Sequence, residues 1–93
     1  MRRIYVPVDQ STYQAKLRWL IVQRGFRITE LAAKFKVGGE YFKRILALPG
    51  TSTYGRKTVS PRILNALLDV LMVTKEQRTE INRMAARSEG YQL

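Results

Sequence analysis

The sequence predicts an all-α chain of five helices, and three observations carry that reading. Apolar residues recur at helical spacing through most of the 93 residues, and no segment repeats at a fixed period or is of low complexity. Capping signals open these stretches, and Gly or Pro-Gly closes several of them. The mixture is ordinary for a globular chain, at 45% hydrophobic and 26% charged, and far from the hydrophobe-poor composition of a disordered one. The length suits one domain with a modest core, expected over residues 11–88, with an arm at 1–10 and a tail at 89–93.

At the front, Met1 to Val8 carries Ile4, Tyr5 and Val6, which favour extended backbone, and Pro7, which blocks a helix. With Arg2 and Arg3 it reads as a basic N-terminal arm, the alternative being a disordered leader. A first helix is expected from about Thr12 to Arg24. Ser11 and Gln14 have capping-box spacing, and Gly25 suits the left-handed closing position. Its apolar stripe is Tyr13, Leu17, Leu20 and Ile21. A short second helix covers roughly Thr29 to Phe35 with Leu31, Ala32 and Phe35 inward, and Val37-Gly38-Gly39 breaks it.

The third helix runs from about Gly39 to Ala47. Phe42, Ile45 and Leu46 face a core, while Glu40, Lys43 and Arg44 share the opposite side. Pro49-Gly50 stops it, and residues 49–59 hold no helical stripe, so a long exposed loop follows. Ser60 as cap and Pro61 at the first helical position open a fourth helix whose apolar face is Ile63, Leu64, Leu67, Leu68 and Leu71. Thr74 and Gln77 repeat the capping-box spacing before a fifth helix, Lys75 to about Arg87, with Ile81, Met84 and Ala85 inward and a frayed tail from Ser88.

Composition narrows the function. The absence of cysteine and histidine removes disulfides, thiolate chemistry, nearly all zinc sites and the usual Ser/His/Asp and Cys/His arrangements. Asp9, Glu30, Glu40 and Asp69 do not gather in the helix plan, and no phosphate-cradling glycine motif is present. An enzyme is therefore not expected, and neither is a cofactor or metal. The formal charge is +10 and the pI about 10.6, which points to a polyanionic partner, nucleic acid before an anionic membrane. Residues 1–58 hold twelve basic and three acidic side chains, against five and four in the remainder, so the first half is expected to face that partner. No apolar run approaches the roughly 18 residues of a membrane span, and Met1 to Val8 lacks the apolar core of a secretory signal. A cytoplasmic protein of a bacterium or its virus is the expectation.

Gly25 to Ile45 has the logic of a helix-turn-helix: two short helices, a tight break, and an amphipathic second member. A steep crossing needs a small residue on the first helix, supplied by Ala32, and apolar anchors on the second, supplied by Phe42 and Ile45, with Leu31, Phe35 and Val37 closing the pocket. Gly38, Gly39, Glu40, Lys43 and Arg44 are then free to enter a major groove about 12 Å wide.

The run Gly25-Phe26-Arg27-Ile28-Thr29-Glu30-Leu31-Ala32, with Phe35, Val37, Tyr41-Phe42 and Ile45, resembles the helix-turn-helix domains of the phage repressor and Cro (XRE) type. Leu67-Leu68-Asp69-Val70-Leu71 and Thr74-Lys75-Glu76-Gln77-Arg78 are similar to that family's fourth helix and the opening of its fifth. The resemblance implies a five-helix repressor-like fold in which Gly39, Glu40 and Arg44 read base edges, with Gly38 and Lys43 beside them. A guanidinium at 44 can donate two hydrogen bonds to guanine O6 and N7, and Glu40 can accept from cytosine N4. Arg27 and Thr29 become backbone contacts at the start of the second helix. The family also grips phosphate from the connection after its recognition helix, which implies Ser52, Tyr54, Arg56 and Lys57. The turn position that the family often fills with glycine is Lys36 here, which predicts a lysine with positive φ at a cost of roughly 1 kcal/mol.

The resemblance thus implies a sequence-specific regulator of transcription on double-stranded DNA, acting as a homodimer by occluding or recruiting RNA polymerase. Two alternatives keep the fold. One is a protein-interaction module that binds a host factor, motivated by the unusual Gly38-Gly39-Glu40 helix start, and the other is a binder of structured RNA.

Overall fold

The computed structural model describes residues 5–48 and 59–90, and among them it is all-helical, with no strand. The five helices are α1 (Tyr13–Gln23), α2 (Ile28–Lys34), α3 (Gly39–Ile45), α4 (Pro61–Leu71) and α5 (Lys75–Glu89). They fall into two units, Met1–Lys57 and Thr58–Leu93.

In the first unit, Thr12 rather than Ser11 caps α1, its hydroxyl accepting the Ala15 amide at 3.2 Å. Ser11 lies one residue outside, its amide donating to the Asp9 carboxylate. The shift of one residue changes the fate of Gln14, which enters the buried face instead of closing a capping box. Its amide oxygen has no hydrogen-bond partner among the described residues. The predicted stripe of Tyr13, Leu17, Leu20 and Ile21 is fully buried. Trp19 and Val22, one turn apart, are exposed on the other side. The arm before the helix, from Tyr5, has neither helix nor strand, and Gln10 folds back to the Pro7 carbonyl at 3.1 Å.

Helix α1 ends on a left-handed Gly25 (φ 73°), as expected. The Phe26 amide reaches the Ile21 carbonyl and the Gly25 amide that of Val22, each at 3.1 Å, which satisfies two of the carbonyls that a helix end leaves free. Helix α2 starts and stops one residue earlier than its apolar spacing suggests, and Phe35 caps it, its amide donating to the Leu31 carbonyl at 3.0 Å. It closes in the same way as α1. Val37 donates to Ala32 at 3.0 Å and Lys36 to Ala33 at 3.2 Å, with Lys36 left-handed at φ 56°. Helix α3 stops at Ile45 rather than Ala47, yet Leu46 and Ala47 remain buried, so the apolar run outlasts the helix.

In the second unit, Ser60 caps α4 by accepting the Ile63 amide, with Pro61 at the first position. Leu64, Leu67, Leu68 and Leu71 are buried as predicted, whereas Ile63 is half-buried. The helix ends on a left-handed Met72 (φ 54°), which nothing in the sequence marks. Thr74 and Gln77 form the predicted capping box, each bonding the other's backbone amide, at 3.1 and 2.9 Å. Helix α5 continues past the expected fraying point at Ser88 to Glu89, and Gly90 closes it. Ile81 and Ala85 are buried, and Met84 is half-buried.

Helices α4 and α5 pack together across a polar clasp. Asn65 and Asn82 exchange amide hydrogen bonds at 3.0 and 2.9 Å, and Arg78 donates to the Asn65 side chain at 3.0 Å and pairs with Asp69.

Candidate nucleic-acid interface

Helices α2 and α3 pack on each other, joined by the segment from Phe35 to Gly38. Ala32 is buried on α2, and Phe42 and Ile45 are completely buried on α3. The Phe35 and Phe42 rings lie 5.7 Å apart between centroids, and Tyr41 meets Phe42 edge-on at 6.4 Å. This apolar contact fixes how α3 is rolled about its own axis: with Phe42 and Ile45 turned in, helical periodicity turns Glu40, Lys43 and Arg44 out. All three are exposed. Neither the Lys43 nor the Arg44 side chain makes a hydrogen bond or ion pair among the described residues.

Other predicted site residues surround this face. Gly38 is exposed and precedes α3, and Gly39 is half-exposed at its first position, with open space where a side chain would begin. Arg27 and Thr29 are exposed at the start of α2. The Arg27 amide donates to the Glu30 carboxylate at 3.0 Å, so Glu30 satisfies the helix start and leaves the Arg27 guanidinium outside. Lys34 and Lys36 are exposed as well, so the α2 to α3 segment presents a row of cations to solvent. The predicted contacts Arg2, Arg3, Ser52, Tyr54, Arg56 and Lys57, and the long loop that holds the last four, lie outside the described residues.

One residue here takes a place that helical spacing, which reads it as solvated helix surface before phosphate ligand, does not suggest. Arg18, midway along α1, sends Nε to the Leu46 carbonyl at 2.7 Å and Nη1 to the Tyr5 carbonyl at 3.1 Å. Leu46 is the residue that ends α3. Partial burial lowers the pKa of this guanidinium from its ordinary value. Both acceptors are distant in sequence, and for that reason the spacing of Arg18 within its own helix gives no hint of the role.

Among the described residues, no group of His, Cys, Asp or Glu is placed to hold a metal ion, and no helix is long and apolar enough to cross a membrane. Set beside models of protein families, curated proteins and solved structures, the chain matches none.

Proposed function

We propose that this chain is a sequence-specific double-stranded DNA-binding regulator of transcription, of the phage or bacterial repressor kind, that reads a major groove with α3. The observation that carries the reading is the division of α3. Phe42 and Ile45 are buried, Phe42 against the Phe35 ring, while Glu40, Lys43 and Arg44 stand in solvent on one face. The left-handed turn at Lys36 supports it, since a helix-turn-helix unit needs such a residue where the family often has glycine. So does the surplus of basic side chains in residues 1–58.

In this reading Arg44 donates both hydrogen bonds to a guanine, Glu40 accepts from cytosine, and Gly39 brings backbone close to the duplex. Lys43 joins Arg44 on the base-reading face, and Gly38, Arg27 and Thr29 position the phosphates. The protein acts in the cytoplasm as a homodimer on paired half-sites and excludes or recruits RNA polymerase. Arg44→Ala is expected to weaken binding to the preferred duplex by about 1 to 3 kcal/mol and to relax one base position, as read by titration against single-base variants of that duplex. Equal losses on preferred and random DNA would remove Arg44 from base reading.

A second reading is favoured by one observation, the exposure of Trp19 and Val22 one turn apart on α1, which suits a protein partner such as a host factor. Binding to that partner with no preference among DNA or RNA duplexes would establish it instead.

A further inference from the structure

We propose that Tyr5 is a second contact to the polyanion and that Arg18 is the positioning residue that sets it, by tying the Tyr5 carbonyl and the carbonyl that ends α3 to one guanidinium. The inference rests on the DNA reading above and adds a site to it.

Arg18 accounts for its donors in an unusual way. The two acceptors seen are backbone carbonyls rather than a carboxylate, one on the entering arm and one at the end of α3. A guanidinium presents its N–H groups in a rigid planar fork, so two acceptors bound to it are fixed relative to each other as well as to α1. A cation beside the end of a helix is also favourable, because the last carbonyls carry partial negative charge. The arm is further held down by the Gln10 side chain on the Pro7 carbonyl, with Val6 and Pro7 half-buried.

Against that fixed backbone, the Tyr5 side chain is 65% exposed. A large aromatic side chain whose backbone is anchored but whose ring is left in water is available to a partner. A tyrosine hydroxyl is a regular donor to phosphate oxygens. Leu46 closes the turn of α3 that carries Lys43 and Arg44, so the shared guanidinium brings the arm and the exposed face of α3 to the same end of that helix.

The test is titration of the full chain into a labelled DNA duplex of about two to three helical turns at low salt, with circular dichroism to verify the fold of each variant. Tyr5→Ala, a change at an exposed position, is expected to weaken binding about tenfold, the scale of one lost charge-assisted hydrogen bond. Arg18→Met is expected to weaken it at least as much, and the Tyr5→Ala/Arg18→Met pair no more than Arg18→Met alone. Arg18→Lys keeps the charge and loses the fork, so it is expected to resemble Arg18→Met.

Wild-type affinity for either Tyr5→Ala or Arg18→Lys overturns the proposal, and so do losses that multiply in the double variant. If Arg18→Met does not fold, Tyr5→Ala and Arg18→Lys decide. Arg44→Ala in the same titration separates the two claims. Weakening by Arg44→Ala without weakening by Tyr5→Ala removes this proposal alone, whereas failure of the unsubstituted chain to bind any duplex removes the DNA reading and this proposal with it.

Discussion

Helices α1, α2 and α4 end on the same backbone device, a left-handed residue followed by a return of two amides to the helix, but they reach it with Gly25, Lys36 and Met72. Only glycine adopts that conformation without steric cost. Gly25 is legible from its position after an apolar stripe, and Lys36 from the family spacing around it. Met72 is legible from neither, because a 79% exposed methionine carries no pattern that marks a turn. Lys36 keeps a cation beside α3 at the expense of backbone strain. Lys36→Gly is therefore expected to raise stability by about 0.5 to 1 kcal/mol, less any gain in unfolded-state freedom, while lowering DNA affinity. Urea denaturation checks the first half, and a destabilised variant would contradict the strain.

At the scale of elements, five helices were readable because each pairs an apolar stripe with a start signal, as Ser60-Pro61 and Thr74 with Gln77 show. The ends were less readable. Burial of Leu46 and Ala47 continues the apolar run of α3 beyond its last residue, Ile45, and Thr12 and Ser11 are chemically similar caps that only geometry separates. Contacts between elements were not readable at all. The Asn65 to Asn82 exchange joins α4 to α5 through residues that each look like ordinary polar surface positions. Asn82→Leu removes both amide bonds to Asn65 and the one to the Arg78 carbonyl, while Asn65 keeps the Pro61 carbonyl and the Arg78 guanidinium, and it is expected to cost about 1 kcal/mol. Asn65→Leu combined with Asn82→Leu should cost less than the sum of the two single changes. Strict additivity in thermal or urea unfolding would show that the clasp is not a unit.

Over the whole molecule, basic side chains outnumber acidic ones by ten. The exposed face of α3 was foreseeable, since Phe42 and Ile45 could only turn inward, but the cross-link from Arg18 to Tyr5 and Leu46 depends on tertiary placement and was not. With no histidine in the chain, no side chain of ordinary pKa titrates near neutrality, so DNA affinity is expected to stay flat between about pH 6 and 8. It is expected to fall steeply with salt, by about a thousandfold or more between roughly 50 and 200 mM if six or more phosphates are contacted. Fluorescence anisotropy over both series checks this, and a marked pH dependence with little salt dependence would contradict it.

Whether α3 reads a duplex sequence is decided by selecting bound duplexes from a random library at those two salt concentrations. A homodimer reading the groove through α3 recovers an inverted repeat whose half-sites are about 34 to 36 Å apart, with the preference for one base in each half-site lost in Arg44→Ala. Recovery of no common sequence, with weak binding that salt abolishes equally for every duplex, would contradict it.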